Sequence, residues 1–187
     1  EPPLQPEPSS EVVAAVDPST RKFRGSGPRG FHWLRPGALA GMPAPGLTHD
    51  LDYDLSLIRA AGITHLVTLT NEPISPAALR EHDLQGLFFP IIDMEAPALA
   101  PAAELMQQVA TLLAQGLCVG FHCKAGLGRT GTMLAAQLVW EGSEAGAALA
   151  QVRHIEPGWV QSDRQERFLC EFHDWLQQRR LTPKSPL

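Results

Sequence analysis

The sequence predicts an α/β fold in which helices flank a mostly parallel central sheet. Short apolar, β-rich runs alternate with segments whose apolar residues recur at helical spacing. Such an alternation places parallel strands in one sheet, because each helix carries the chain back across a sheet face. A second observation is a strand that passes through a glycine-containing turn into a helix over residues 117–133. The carboxyl ends of parallel strands form the crevice in which α/β proteins bind ligands.

The composition is that of one globular domain. The chain has 187 residues, of which 44% are hydrophobic and 19% charged, and this length is enough for a single sizeable core. The net charge of −5 disfavours nucleic acid or an anionic membrane surface as the main partner. No apolar run approaches the ~20 residues that span a bilayer. We expect a monomer without a membrane span.

The cysteines and histidines exclude two classes of site. Cys118, Cys123 and Cys170 are odd in number and contain no CxxC pair, which is not the pattern of a disulfide framework. The seven histidines show no ligand spacing, so no metal site is predicted, and no cofactor is expected. A reactive thiol survives in a reducing compartment, which favours a cytoplasmic protein.

The chain divides into a leader, a folded domain and a tail. Residues 1–30 are rich in proline and indicate a loosely ordered leader, within which residues 12–16 are a candidate short strand. The folded domain is expected over residues 31–180, and residues 181–187 form a short tail.

Turn and cap residues mark the elements of the first half. Pro36 and Gly37 turn a hairpin, and Gly62 ends an amphipathic helix. Ser75 caps a short helix that has Pro76 at its first position. The predicted elements are the hairpin (31–41), a helix (51–61), a strand (63–69), a helix (76–82) and a strand (86–92).

The second half adds one strand and four helices. A helix starts at Pro101 and is closed by Gly116. The last helix carries an aromatic face that indicates core packing. The predicted elements are a helix (101–115), a strand (117–121), a tight turn (122–129) and helices at 129–140, 143–154 and 162–180.

The turn after residue 121 concentrates features that bind an anion. Cys123 and Arg129 lie six positions apart in H-C-K-A-G-L-G-R-T-G, with Gly126 and Gly128 between them. The backbone N–H groups of such a turn and the start of the next helix both favour negative charge. This field stabilises a thiolate at Cys123, and the planar guanidinium of Arg129 matches two phosphate oxygens. The pattern indicates transfer of a phosphoryl group to sulfur.

Asp93 is the candidate proton donor for such a reaction. It ends the predicted 86–92 strand, so we expect its carboxylate at the sheet edge that also holds Cys123. Protonating the leaving oxygen requires an acid at this place. Glu95, two residues further on, is the competing candidate.

Residues 122–131 resemble the His-Cys-x5-Arg-Thr signature of the protein tyrosine and dual-specificity phosphatases. The loop is similar to that of the mitotic-exit members, and the chain from Phe31 to Trp175 resembles the small atypical (VHZ-like) dual-specificity phosphatases. The resemblance implies a phosphatase P-loop between the last strand and the following helix, in a catalytic domain over residues 31–180. It also implies hydrolysis of phosphotyrosine, and of phosphoserine or phosphothreonine, in a phosphorylated protein or peptide through a phosphocysteine intermediate.

The same resemblance implies a role for each residue of the motif. Cys123 would be the nucleophile, Arg129 the phosphate clamp and Asp93 the general acid and base. Thr130 would donate to the cysteine sulfur and make it a better leaving group. The loop residues whose backbone would bind the substrate phosphate are Lys124, Ala125, Gly126, Leu127 and Gly128.

Supporting residues are implied on both sides of the motif. His122 would help to fix the loop. P-G-W-V-Q-S-D-R-Q resembles the family's Arg-Pro-Gly-x6-Gln segment, in which Gln165 would position the attacking water; the alternative is an ordinary helix-surface glutamine. Glu156 stands where the family usually has arginine, so one expected support of the loop is absent or replaced. Trp159 either walls the pocket or packs beneath it.

Three other functions fit parts of the pattern. A phosphoinositide or inositol phosphate phosphatase would use the same mechanism, but the lipid phosphatases that share Lys124 carry a second lysine in place of Leu127. A dinucleotide-binding protein would explain G-x-G-x-x-G over residues 126–131, but it leaves Cys123 and Asp93 without a role. A pseudophosphatase that only binds phosphate has the exchange at Glu156 as its one support.

Overall fold

A five-stranded sheet forms the centre of the computed structural model, which describes residues 26–181. The spatial order of the strands is β1-β2-β5-β3-β4. The predicted leader up to residue 25, including the candidate strand at 12–16, lies outside the described residues, as do residues 182–187. The strands are β1 (His32–Arg35), β2 (Leu39–Pro43), β3 (His65–Thr68), β4 (Gln85–Phe88) and β5 (Val119–Cys123).

The predicted mostly parallel sheet is confirmed. Only the β1–β2 hairpin is antiparallel among the strand pairs of residues 26–181, and the other three pairings are parallel. The register places Pro43 beside Cys123 and Thr68 beside His122. The last residues of β2, β3 and β5 therefore meet at one edge of the sheet.

Helices cover both faces of the sheet. The first two helices pack with one core cluster around Leu66, and the other four pack with a second cluster around Phe121. The fourth helix lies in the middle of that second layer, where every residue from Gly128 to Val139 is buried. The helices are α1 (Leu51–Ala61), α2 (Pro76–Glu81), α3 (Leu99–Ala114), α4 (Gly128–Trp140), α5 (Ala145–Ile155) and α6 (Asp163–Leu181).

The predicted caps Gly62 and Ser75 are confirmed, and Asp50 adds a cap that was not predicted. The Asp50 side chain accepts a hydrogen bond from the Asp52 N–H at the start of α1, and Gly62 ends that helix with φ of +108°, a conformation that glycine adopts at little cost. Ser75 caps α2 at the Ala78 N–H, with Pro76 as the first helical residue. Between residues 26 and 181, none of the helices combines the length and apolarity that crossing a membrane requires.

The strand predicted over residues 86–92 is wrong in its second half. Strand β4 ends at Phe88, because Pro90 has no N–H to donate to a ladder and the neighbouring β3 ends at Thr68. Residues 89–98 form a loop instead, and Ile92 within it is 70% exposed. Asp93 thus lies in a loop beyond the strand rather than at its end.

Most other boundaries differ from the predicted ones by one or two residues, including both ends of β3 and of α5. Helix α3 begins at Leu99, because Pro101 fits within a first turn whose N–H groups have no intrahelical acceptor. Strand β5 spans Val119–Cys123 rather than residues 117–121, since its register is fixed by β2 and β3. Helix α6 continues through Leu181, one residue into the predicted tail.

Candidate active site

The loop from β5 to α4 is tightly fitted against the end of β2. Gly126 has φ of +73°, and a Cβ atom at this position would lie 2.4 Å from the backbone of Met42 and Pro43, so only glycine fits. The Ala44 N–H donates to the Lys124 carbonyl over 3.1 Å. These contacts hold the loop at the sheet edge where the parallel strands end.

Cys123 is the last residue of β5 and faces the start of α4. Its side chain is buried, and its sulfur accepts a hydrogen bond of 3.1 Å from the Thr130 hydroxyl. Helix α4 has no capping side chain at Leu127, so its first N–H groups remain available to an anion. This local field favours an oxyanion bound in front of the sulfur.

Arg129 is buried with one edge of its guanidinium fixed. Nη1 donates to the Ile91 carbonyl over 3.0 Å, and Nη2 lies 3.3 Å from a carboxylate oxygen of Asp93. Nε is buried without a hydrogen-bond partner. Because a buried donor without a partner is costly, the edge formed by Nε and Nη2 is suited to two oxygens of an oxyanion. A solvated arginine at a helix start is therefore excluded.

The 89–98 loop brings Asp93 to the same place. The side chain of Asp93 is 73% exposed, and the oxygen near Arg129 also accepts from the Met94 N–H over 3.1 Å. Met94 has φ of +64°, in the left-handed region. Asp93 and Cys123 therefore lie on one side of the sheet, both joined to the α4 N-terminus.

His122 lies beneath the site as a neutral side chain. Burial lowers its pKa to about 4; the backbone of Cys123 opposes this shift, and the charge of Arg129 adds to it. Nε2 lies 2.8 Å from the Thr68 hydroxyl on the neighbouring strand, while Nδ1 is buried without a hydrogen-bond partner. The ring thus ties β5 to β3 directly below the loop.

Gln165 is a buried residue, so the alternative of a helix-surface glutamine is wrong. Its Oε1 accepts from the Gln161 and Ser162 N–H groups over 2.9 and 3.1 Å. Its Nε2 donates to the Glu95 carbonyl over 3.3 Å. The amide also lies against Gly128, in the turn between β5 and α4. Gln165 therefore joins the 89–98 loop to the start of α6, with one N–H left for a further acceptor.

Trp159 packs beneath the loop rather than forming a wall of the pocket. Its ring is fully buried, and its indole N–H donates to the Gly126 carbonyl over 3.0 Å. Gly131 permits this approach, since a Cβ atom there would lie 2.4 Å from Cβ of Trp159. The tryptophan consequently supports the loop from inside the domain.

Arg153 is a functional support that the sequence motif did not reveal. It donates to the Trp159 carbonyl over 3.2 Å and to the Val160 carbonyl over 2.8 Å, and it pairs with Glu166. Glu156, at the position where arginine was expected, instead accepts from the Gly158 N–H over 2.9 Å. The only available signal was the placement of Arg153 in the last turn of α5, where a cation can reach free carbonyls.

An open cleft of about 740 Å³ lies over these residues. Lys124 is exposed at its mouth, and Glu72 approaches from the loop after β3. Two acidic and two basic side chains therefore line the cleft. The charged lining residues are Glu72, Asp93, Lys124 and Arg129.

Comparison with known proteins identifies the family. A family model described as "polymorphic toxin system, DSP-PTPase phosphatase" matches residues 40–143. The chain is 30% identical over 96 residues to the tyrosine-protein phosphatase CDC14 of Saccharomyces cerevisiae, which is 49% of this chain and 17% of that protein. It is 43% identical over 65 residues to the human phosphatidylglycerophosphatase and protein-tyrosine phosphatase 1, which is 31% of this chain and 29% of that protein.

The fold has matching solved structures. The active form of Tk-PTP superposes with a TM-score of 0.70 and 25% identity, covering 78% of this chain and 97% of that one. The matches to the two curated relatives, in contrast, span less than a third of either protein's length. The matched region contains the sheet edge, the cysteine loop and the 89–98 loop. This chain belongs to the DSP-PTPase phosphatase family of polymorphic toxin systems, within the superfamily of cysteine-dependent dual-specificity phosphatases.

Proposed function

We propose that this chain hydrolyses phosphate monoesters on protein side chains through a phosphocysteine intermediate. The observation that carries the proposal is the meeting of Cys123, Arg129 and Asp93 at one sheet edge, with the Asp93 carboxylate 3.3 Å from Nη2 of Arg129. A nucleophile, an oxyanion clamp and a proton donor are the three groups that the reaction requires.

In the first step, the Cys123 thiolate attacks phosphorus and the bond from phosphorus to the ester oxygen breaks. The Nε and Nη2 edge of Arg129 and the loop N–H groups bind the equatorial oxygens, most strongly in the transition state. Asp93 gives its proton to the leaving alcohol or phenol. This donor lets the enzyme act on esters whose leaving oxygen is basic.

In the second step, water attacks the phosphocysteine. Asp93, now a carboxylate, accepts the proton of that water, and phosphate leaves as the sulfur regains its negative charge. The Thr130 hydroxyl stabilises the departing sulfur, from which it lies 3.1 Å away. We assign the remaining N–H of Gln165, whose amide lies against Gly128, to orientation of that water.

Hydrolysis of an aryl phosphate in the presence of EDTA tests the proposal. Cys123→Ser should abolish turnover, whereas Cys170→Ser, on the exposed side of α6, should retain it. Asp93→Asn should lower kcat by about 10²- to 10⁴-fold for poor leaving groups and much less for good ones. Full activity of Cys123→Ser would exclude the mechanism.

A lipid or inositol phosphate substrate is the second candidate. It is favoured by the human relative, whose name includes phosphatidylglycerophosphatase. Against it, Glu72 lies in the cleft, and Lys124 is the only lysine or arginine besides Arg129 among the described lining residues. Rates on phosphopeptides and on soluble phosphoinositides should differ in favour of the peptides; a faster rate on the lipids would reverse the assignment.

The family description supports a cellular use of the activity. Because the matched model is that of a polymorphic toxin system, we propose that the phosphatase activity is harmful to a cell in which it is produced. Expression of the wild-type chain should slow growth, and Cys123→Ser should not. Equal growth inhibition by both at equal protein levels would contradict this role.

A further inference from the structure

We propose that Ser162 is a positioning residue that holds the 89–98 loop so that Asp93 faces the phosphate site. The Ser162 hydroxyl donates to the Met94 carbonyl over 2.7 Å. This contact joins two segments that are 68 residues apart in sequence. The inference rests on the proposed role of Asp93 as the proton donor.

The Ser162 oxygen serves two partners at once. As the residue before α6, it accepts from the Gln165 N–H over 3.1 Å, which is the usual cap of a helix N-terminus. Its single hydrogen takes no part in this cap and is donated to the Met94 carbonyl. The helix cap fixes the position of the oxygen, and the hydroxyl hydrogen rotates toward the Met94 carbonyl.

Met94 transmits this contact to the catalytic carboxylate. Its carbonyl accepts from Ser162, while its N–H donates to the Asp93 oxygen that lies near Arg129. The residue is in the left-handed region, which a side chain with Cβ adopts at a cost. Its own side chain is 46% exposed, so core packing contributes little to holding this conformation.

A second hydrogen bond from the α6 region also holds the 89–98 loop. Gln165 Nε2 donates to the carbonyl of Glu95, but over 3.3 Å, which is longer than the Ser162 contact. The Phe89 and Ile91 N–H groups hold the start of the loop, since they donate to the carbonyls of Thr68 and Leu69 over 3.0 Å each. Without Ser162, the part of the loop around Asp93 would depend on the Gln165 contact and on the two bonds from Arg129. Of these, the contact from Nη2 to Asp93 uses an N–H group that would also bind an entering oxyanion, so Ser162 supplies a support that substrate does not disturb.

Leaving-group dependence in a double-mutant cycle tests the proposal. Ser162→Ala should lower kcat about tenfold for an alkyl or unactivated aryl phosphate and less for dinitrophenyl phosphate, and this loss should vanish in an Asp93→Asn background. Ser162→Thr, which keeps the hydroxyl, should restore activity. Ser56→Ala, an exposed serine on α1 that bonds the Tyr53 carbonyl, should behave as wild type.

A second variant distinguishes the proposed role of Ser162 from a role as the cap of α6 alone. Ser162→Asp retains an acceptor for the Gln165 N–H but has no hydrogen for Met94, so we expect wild-type thermal stability with the kinetic defect of Ser162→Ala. A Ser162→Asp protein with wild-type leaving-group dependence, or a Ser162→Ala defect that persists with Asp93→Asn, would overturn the inference. Inactivity of the wild-type chain would instead refute the proposed function itself.

Discussion

We propose that a ligand binds the edge of the Arg129 guanidinium formed by Nε and Nη2, where Nη2 also contacts Asp93. Nη1 is fixed by the Ile91 carbonyl, whereas Nε has no partner. A lysine would keep the charge but would present a single ammonium group in place of two parallel N–H donors. At this position, the geometry of the donor counts as well as its charge.

Arg129→Lys should therefore lower kcat/KM by about 10²-fold or more, the usual effect of removing one preorganised oxyanion donor. Steady-state kinetics on an aryl phosphate measures the effect, and a thermal melt shows whether the fold is intact. A lysine variant within threefold of the wild type would mean that charge alone is sufficient.

The hydroxyl of Thr130 should matter most in the second chemical step. Thr130→Ala removes the 3.1 Å hydrogen bond to the Cys123 sulfur, and we expect about a tenfold slower breakdown of the phosphocysteine. Rapid-mixing kinetics should then show a burst of product followed by slow turnover. Thr130→Ser keeps the hydroxyl and should show no burst, while an equal slowing of both phases in Thr130→Ala would contradict the assignment.

At the scale of elements, the loop before α6 is supported differently from the family pattern. The expected arginine is replaced by Glu156, which closes a local turn, and Arg153 of α5 binds the carbonyls of Trp159 and Val160 instead. Val160 has φ of +66°, so this segment holds a costly backbone conformation. The supporting arginine therefore stands three residues before the expected position, one helical turn earlier in the chain.

Arg153→Ala should reduce the free energy of unfolding by about 1–3 kcal/mol, because two carbonyls and Glu166 lose a charged donor. The oxyanion vanadate should also inhibit the variant less strongly. Arg153 binds the Trp159 carbonyl and the Trp159 indole binds the Gly126 carbonyl, so the loop should be held less firmly without Arg153. Urea unfolding and inhibition assays measure the two effects. Arg164→Ala is the control, because it removes only an exposed ion pair with Glu171 and should change stability by under about 1 kcal/mol. Equal losses of stability in the two variants would show that Arg153 does not support this segment.

Elements could be predicted where local signals agree. The hairpin, α1 and α2 each carry their own turn or cap residue, and the loop after β5 contains Cys123, Arg129 and Thr130 within eight positions. The contact of Ser162 with Met94 and the role of Arg153 could not be predicted, because they depend on how distant segments pack. The end of β4 was missed because the apolar run continues past Pro90 into the 89–98 loop.

At the scale of the whole molecule, the buried His122 links stability to pH. Its pKa of about 4 lies below the 6.5 of the unfolded chain. Between these two pKa values, His122 is protonated in the unfolded state but neutral in the folded state. The free energy of unfolding is therefore highest above pH 6.5 and falls as the pH decreases toward 4. The total loss from this group is about 3 kcal/mol.

Urea unfolding of the wild type between pH 7 and pH 4 should reveal this decline. The variant His122→Asn has no titrating ring and should lose less stability over the same interval, even though it starts from a lower value. Parallel curves for the two proteins would show that another group controls the acid sensitivity.

The indole of Trp159 gives the molecule an intrinsic fluorescent probe. Of the four tryptophans, it alone is fully buried, and it is bonded to the loop that would receive phosphate. Its emission should report the filling of that loop in a stopped-flow instrument, with no dye attached. Ligand entry could then be timed separately from product release, even for oxyanions that are never turned over.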